Sequence, residues 1–189
     1  MKNNLKIAIT GAHSQGKTTL CKDLMFRSEF RKFTLLGNIT RGIQDKGIQI
    51  NELGSDWSQS LVIAKHIEHY FFNGNALLDR CILDGLVYTK VLFEQGKVSV
   101  GVLSYAEFVF KQIIQKEKYD LIFYIEPTLP LKNDNVRSTD IDFFNQVKET
   151  FENYIQQYNL NVVRLSGSRE ERVNTVIKNL KYNFPEQFE

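Results

Sequence analysis

The sequence predicts an α/β fold in which helices cover both faces of a parallel five-stranded sheet. Two observations carry this prediction. Short apolar runs of strand length alternate along the chain with longer segments of helical periodicity. A glycine-rich loop ending in Lys17 and Thr18 follows the first predicted strand and precedes the first predicted helix. Because 189 residues fit one domain, we expect residues 1–189 to form a single domain.

The strands are predicted from short apolar runs that turn residues bound. They lie at residues 5–10, 33–36, 76–79, 120–126 and 161–165. Helical spacing predicts helices at residues 17–28, 56–71, 83–95, 103–117, 144–158 and 168–180. The expected apolar face of the second helix consists of Trp57, Leu61, Ala64, Ile67 and Phe71. Residues 41–54 contain three glycines and are expected to form a loop or a broken helix.

The loop at residues 11–18 has the pattern of a phosphate-binding loop, GAHSQGKT. Gly11 and Gly16 allow the backbone to curl so that successive N–H groups point at phosphate oxygens. Lys17 supplies a positive charge for the β- and γ-phosphates, and the Thr18 hydroxyl is placed to ligate Mg²⁺. The alternative is a glycine turn that binds no ligand. The predicted nucleotide-binding residues are Gly11, His13, Ser14, Gln15, Gly16, Lys17, Thr18 and Thr19.

Three carboxylates are candidates for the catalytic chemistry. Asp79 ends the third predicted strand, at the sheet edge where open α/β folds bind ligands. A carboxylate there can hold Mg²⁺ or accept a proton from a substrate hydroxyl. Glu126 ends the fourth strand and is a rival for the metal role, and Asp84 lies close enough to Asp79 to face the same site. A solvated strand-end aspartate or a helix cap is the structural alternative for Asp79.

Three arginines follow predicted strands. Arg80 comes directly after Asp79, Arg137 lies in a polar loop, and Arg41 follows the second strand. Phosphoryl transfer builds negative charge on the transferred oxygens, which arginines on loops can neutralise. Arg41 is also placed to bind a phosphate or carboxylate of the acceptor.

Composition restricts the function classes. The net charge of +2 gives no indication of a basic arm or patch, which argues against binding to nucleic acid or to a membrane surface. No apolar run approaches the ~18 residues of a membrane span, and the first residues lack a signal-peptide pattern, so we expect a cytoplasmic protein. Cys21 and Cys81 lack the spacing of a zinc site and are expected to be reduced, partly buried thiols. His66 and His69 are interpreted as solvated or capping histidines.

Six stretches, taken together and in order, resemble the NadR-type AAA P-loop family. They are GAHSQGKT at 11–18, ITR at 39–41, LDRCILD at 78–84, YDLIFYI at 119–125, DNVR at 134–137 and SGSREER at 166–172. That family includes the ribosylnicotinamide kinase half of a bacterial NAD-biosynthesis protein. The phosphate loop is the one highly specific motif, and the others gain weight from their order over nearly the whole chain.

The resemblance implies a three-layer P-loop fold with strand order 2-3-1-4-5, binding of ATP with Mg²⁺, and a small lid at about residues 127–140. It assigns the lid arginine to Arg137, the acidic residue after the third strand to Asp79, and an adenine-packing turn to residues 166–168. In one place the chain departs from the family. Where members often carry a glutamate, shortly before the arginine matched by Arg41, this chain has Asn38, and an amide cannot act as a general base.

These observations predict a kinase that moves the γ-phosphoryl of ATP to a nucleoside, nucleotide or similar small hydroxyl acceptor. The predicted catalytic residues are Lys17, Asp79, Arg80 and Arg137, the metal residues are Thr18 and Asp79, and the acceptor-binding residues are Asn38, Arg41 and Asp84. The alternatives are a regulatory P-loop NTPase module and a kinase acting on a nucleic-acid hydroxyl. The sequence leaves open the acceptor, the oligomeric state and which carboxylate serves as base.

Overall fold

The computed structural model describes residues 4–117, 119–128 and 140–187. Its strands form one parallel sheet in the order β2-β3-β1-β4-β5, which confirms the predicted order. The strands are β1 Lys6–Thr10, β2 Phe33–Leu36, β3 Asn75–Asp79, β4 Leu121–Ile125 and β5 Val162–Leu165. The helices are α1 Lys17–Met25, α2 Ile39–Gln44, α3 Asp56–Tyr70, α4 Ile82–Glu94, α5 Val100–Lys111, α6 Ile141–Gln157 and α7 Arg169–Asn183. Of the predicted lid, residues 129–139, and with them Arg137, lie outside the described residues.

The sheet separates two apolar layers because successive strand residues face opposite sides. In β1, Ala8 belongs to the core on one face, whereas Ile7 and Ile9 belong to the core on the other. Helices α3, α4, α5 and α6 supply the first layer, and α1 and α7 supply the second. This is the predicted arrangement of helices on both faces.

The register of the parallel strands brings two loops to one edge of the sheet. Ile9 of β1 pairs with Asp79 of β3, and Leu36 of β2 pairs with Leu78 of β3. Because parallel strands end on the same side, the loop after β1, the end of β3 and the loop after β2 all meet at the carboxyl edge. The candidate functional site lies at this edge.

The apolar face expected for α3 is wrong for Trp57, Ala64 and Phe71, whereas Leu61 and Ile67 are partly buried and pack against apolar clusters. Trp57 and Phe71 are 66% and 62% exposed. The buried residues of the helix are Ser58, Gln59, Val62, Ile63, His66 and Tyr70. Polar side chains occupy part of the buried face, so apolar periodicity alone indicated a face rotated from the observed one.

Residues 41–54, which the sequence predicts to form a loop or a broken helix, are partly helical. Helix α2 begins at Ile39 and ends at Gln44, and a short 3-10 turn follows at Asn51–Leu53. Ile39, Ile43 and Ile50 bury their side chains together with Val62 of α3. A small apolar cluster therefore fixes α2 beside the sheet edge.

The last helix starts as predicted. Ser168 accepts a hydrogen bond from the backbone of Glu171, and the Glu171 side chain accepts one from the backbone of Ser168. This is a capping box. Within the described ranges, the structure contains no helix long and apolar enough to span a bilayer.

Candidate functional site

Gly11 and Gly16 shape the phosphate loop with backbone conformations that other residues rarely adopt. The φ angles are +133° at Gly11 and +86° at Gly16. A Cβ at Gly11 would lie 2.8 Å from the carbonyl oxygen of Ile125, at the end of β4. Glycine at position 11 is therefore required both for its backbone conformation and for the space beside β4.

Helix α1 begins directly after this loop. Gly16 is its N-cap residue and Lys17 its first residue, so the loop and the positive end of the helix dipole converge. Lys17 is buried, and its Nζ donates to the carbonyl oxygens of Gly11 and Ala12, both at 2.6 Å. These bonds hold the ammonium group against the loop backbone. The arrangement suits an anion such as a nucleotide phosphate.

A hydrogen bond joins the start of α1 to the end of β3. The Thr18 hydroxyl donates to Oδ2 of Asp79 at 2.6 Å. Gly37 lies against the same carboxylate, because a Cβ there would be 2.9 Å from Cβ of Asp79. Gly37 thus makes room for Asp79, a role that no sequence pattern indicates.

These residues line a cavity of about 370 Å³ at the carboxyl edge of the sheet. The phosphate-loop residues from His13 to Thr18 form one side, and the loop after β2 with the start of α2 forms the other. Lys22, Asn38, Arg41 and Arg80 also line this cavity. Asp79 is the only carboxylate among the described lining residues, so the structure brings it together with the predicted nucleotide-binding and acceptor-binding groups.

Arg80, which lines this cavity and is partly buried, forms an ion pair with the buried Asp84. Nη1 of Arg80 lies 3.1 Å from Oδ1 of Asp84, and its guanidinium lies 5.5 Å from the ring centroid of Tyr88. Oδ2 of Asp84 also accepts from Thr10 Oγ1 at 2.7 Å and from the backbone N–H of Cys81 at 3.0 Å. Burial disfavours the charge of Arg80, but Tyr88, Asp84 and Asp79 raise its pKa above the ordinary value. Arg80 therefore carries a permanent charge at the rim of the cavity.

Three further predicted site residues, unlike His13, do not line the cavity of about 370 Å³. Glu126 lies 3.8 Å from Arg164, on the β5 side of the sheet. Thr19 is exposed and Asp84 is buried, and neither lines the large cavity. His13 does line it, while its ring packs against Tyr88 and Phe144.

Arg172 of α7 is a functional candidate that the sequence reasoning did not single out. This buried guanidinium donates to the carbonyl oxygens of Gln15 at 3.0 Å and Gly167 at 3.1 Å, and to Thr128 Oγ1 at 3.2 Å. Burial lowers the pKa of Arg172. It joins the phosphate loop to the turn after β5 and to the segment after β4. Apolar periodicity carries no signal for such a residue.

His66 was interpreted as solvated or capping, and that interpretation is wrong. The residue is 2% exposed and lies on the buried face of α3. It lines a second, smaller cavity of about 20 Å³ together with Gln59 and Tyr88. This cavity shares Thr40 and Arg80 with the large one, so the two adjoin.

The side-chain oxygens of Thr18 and Asp79 fit a magnesium ion. Mg²⁺ prefers oxygen ligands and usually takes one or two from protein, with water and phosphate supplying the rest. The Thr18 hydroxyl and the Asp79 carboxylate offer two such oxygens 2.6 Å apart. Among the described residues, no cluster of three or more histidine, cysteine, aspartate or glutamate side chains could hold a metal. Both cysteines are buried free thiols.

Comparison with known proteins identifies a family and a fold. A family model described as an AAA domain matches residues 6–172. NadR in complex with NR aligns with a TM-score of 0.73 at 17% identity, over 95% of this chain and 50% of NadR. Deoxyadenosine kinase from M. mycoides with bound dATP aligns with a TM-score of 0.67 at 13% identity, over 94% of this chain and 99% of the kinase. The chain thus spans about half the length of NadR. No curated protein matches it in sequence.

The burial of His66 predicts a pH-dependent stability. Burial, with Arg80 and His69 nearby, lowers the pKa of His66 from 6.5 to about 3. Between these values the unfolded chain binds more protons than the folded one, so this contribution is present above pH 6.5 and is lost as the pH falls. For one such histidine, the loss between pH 7 and pH 5 is about 2 kcal/mol. Urea unfolding should show that His66→Gln loses about 2 kcal/mol less stability than the wild type over this range.

Two features make this experiment specific to His66. Arg80 and Asp84, which line the small cavity with His66, are present in both the wild type and His66→Gln, so their contributions to the pH dependence of stability cancel when the two proteins are compared. His69→Gln, on the same helix but only half-buried, should change the pH dependence less. The same pH dependence in the wild type and in His66→Gln would contradict the buried neutral state of His66.

Proposed function

Because the chain belongs to the AAA-domain family, whose model matches residues 6–172, we propose that it is a Mg-ATP-dependent kinase. The phosphoryl acceptor is a hydroxyl group of a nucleoside, nucleotide or similar small molecule. The observation that carries the proposal is the single cavity in which the phosphate loop and Asp79 face Asn38 and Arg41. One cavity with both sets of groups suits the transfer of a group between two bound molecules.

The structural neighbours support a small-molecule acceptor. NadR is known in complex with NR and, separately, with NAD and AMP-PNP, and deoxyadenosine kinase is known with dATP. The kinase neighbour is matched over nearly its whole length, whereas only about half of NadR is matched. With 17% identity or less, these neighbours guide the choice of acceptors to test.

Several groups of this chain would bind the nucleotide phosphates. The N–H groups of the loop and the N-terminus of α1 would cradle them. Lys17 would move its ammonium group from the carbonyls of Gly11 and Ala12 to the β- and γ-phosphate oxygens, which are stronger acceptors. Arg80 would add a permanent positive charge at the rim. Arg137, outside the described residues, is proposed from the family resemblance to neutralise charge on the transferred phosphoryl group.

Thr18 and Asp79 would hold Mg²⁺ beside the phosphates. When bound, the ion would supply charge neutralisation at the β- and γ-phosphate oxygens. The hydrogen bond between Thr18 and Asp79 holds both oxygens in place beforehand. This contact favours metal organisation over proton abstraction as the role of Asp79. Asp84 already accepts from Thr10, Arg80 and Cys81, which favours a positioning role for its carboxylate.

The direct test is a coupled assay of ADP production with ATP, Mg²⁺ and a panel of nucleosides, nucleotides and oligonucleotides. We expect turnover that requires a small acceptor and exceeds ATP hydrolysis measured alone. Lys17→Ala should abolish turnover and strongly weaken Mg-ATP binding because the phosphates lose its charge. The fold should survive, since Lys17 contacts loop carbonyls and not the apolar core. Hydrolysis without transfer to any acceptor would favour the NTPase alternative. Unchanged Mg-ATP binding by Lys17→Ala in calorimetry would contradict the site assignment.

Asp79→Asn tests the metal role. If Asp79 organises Mg²⁺, the variant should bind Mg-ATP about 10- to 100-fold more weakly, and raised Mg²⁺ should restore part of the rate. Loss of transfer with intact Mg-ATP binding would instead identify Asp79 as the general base, and a nearly unchanged rate would remove Asp79 from the mechanism.

Gly37 in the loop after β2 and Gly42 in α2 provide a matched pair of variants for the Asp79 experiment. Gly37→Ala places a Cβ 2.9 Å from Cβ of Asp79 and should displace the carboxylate, so it should reproduce the weaker Mg-ATP binding. Gly42→Ala, five residues further along the chain, has nothing within 4 Å of its Cβ and should bind Mg-ATP as the wild type does. Equal Mg-ATP affinity of the two alanine variants would contradict the importance of the Asp79 position.

A further inference from the structure

His66 carries a buried nitrogen without a hydrogen-bond partner. Its side chain is 2% exposed, and within the described part of the chain Nε2 makes no hydrogen bond. Buried polar atoms in folded proteins are almost always hydrogen-bonded, to protein, ordered water or a ligand. Because His66 lines the small cavity beside the acceptor-binding side of the large one, a group bound in this cavity is a candidate partner for Nε2.

The surroundings hold the imidazole ring of His66 in place. A Cβ at Gly85 of α4 would lie only 3.2 Å from Cδ2 of His66, so glycine at this position makes room for the ring. Gln59, about two helical turns before His66 on α3, lines the same cavity. Its Oε1 lies 3.1 Å from Thr89 Oγ1, and this contact holds the amide group of Gln59 in place. The two side chains therefore offer fixed hydrogen-bonding groups.

The charges around this cavity favour an uncharged ligand group. Burial keeps His66 neutral because it lowers the pKa of the ring to about 3. Gln59 carries no charge, and the charge of Arg80 is balanced by Asp84 at 3.1 Å. A carboxylate or phosphate entering here would lie near Asp84 without a free cation to balance it. An ammonium group would lie near Arg80.

The size of the cavity limits what can enter. About 20 Å³ is enough for one water molecule or for one small functional group. The cavity shares Thr40, Asn51 and Arg80 with the large cavity of about 370 Å³. A molecule bound in the large cavity can therefore place one of its groups against His66 while the rest stays beside Asn38 and Arg41.

We propose that His66 and Gln59 recognise one uncharged polar group of the acceptor, a carbonyl oxygen or amino group on a heteroaromatic ring, and that His66 is thereby a specificity-determining residue. The inference rests on the proposed kinase function, since it concerns the acceptor of that same site. It narrows the acceptor to a molecule whose ring carries such a group. The competing occupant is a single ordered water molecule.

Nuclear magnetic resonance of the histidine rings tests binding without any catalysis. The chain contains three histidines, so a sample labelled with ¹⁵N in the imidazole rings gives few signals, which His66→Gln and His69→Gln assign. Adenosine, guanosine, cytidine, uridine and their deoxy forms are added singly, without ATP or Mg²⁺. At least one of them should shift the ring nitrogens of His66 while those of His69 stay in place. Purine riboside, which lacks the exocyclic group of adenosine and guanosine, should shift His66 less than the purine that binds.

Kinetics of matched variants test specificity. His66→Phe keeps a ring but removes both nitrogens, and should raise the KM for the preferred nucleoside about tenfold or more, because the ligand group then lacks its partner. The kcat should change much less, and the affinity for Mg-ATP should stay the same. His69→Phe, on the same helix and outside both cavities, should leave all three values unchanged.

The two proposals fail in distinguishable ways. If nucleosides shift His66 but no phosphoryl transfer occurs in the coupled assay, the subsite stands and the kinase function is wrong. If transfer occurs but no nucleoside of the panel shifts His66, or if His66→Phe keeps the wild-type KM, the subsite is wrong and the cavity holds ordered water only. If no nucleoside shifts His66 and no transfer occurs, both proposals are wrong.

Discussion

The Thr18 hydroxyl donates a hydrogen bond to the Asp79 carboxylate, and these two residues lie 61 positions apart in the chain. The contact depends on the parallel pairing of β1 with β3, which sets Ile9 opposite Asp79. Because both strands end at one edge, the phosphate loop after β1 and the carboxylate ending β3 have to meet there. The loop after β2 is fixed at the same edge by pairing of β2 with β3. The two sides of the cavity, which we propose bind the nucleotide and the acceptor, follow from these two pairings.

Much of this arrangement could be predicted because it depends on local signals. The phosphate loop has a fixed spacing of glycine, lysine and threonine, and its strand and helix neighbours have clear periodicity. Asp79 was recognisable because it ends an apolar run, and strand ends in parallel sheets share one edge. The capping box at Ser168 and Glu171 is a local motif as well. The strand order came from the resemblance of six ordered stretches to a known family.

Other features could not be predicted because they depend on contacts between distant segments. Helix α3 buries Gln59 and His66 since α4 offers Thr89 as a hydrogen-bond partner and Gly85 as space for the imidazole. Neither partner is marked by a pattern in the sequence. Arg172 is buried for a comparable reason, because carbonyl oxygens from two separate loops accept its hydrogen bonds. Apolar periodicity assigns polar residues to the surface, so it misplaces those that a distant segment satisfies.

In the proposed kinase, a nucleotide and its acceptor occupy one continuous cavity on either side of Asp79. Calorimetric titration with a bisubstrate compound, ATP joined through its terminal phosphate to the acceptor nucleoside, shows whether both can bind there at once. Joining two ligands that bind adjoining sites raises affinity by about 100-fold or more when the geometry allows both to bind at once. In the presence of Mg²⁺ the joined compound should bind about 100-fold more tightly than ATP alone. Binding no tighter than that of ATP alone would contradict the binding of both in one cavity.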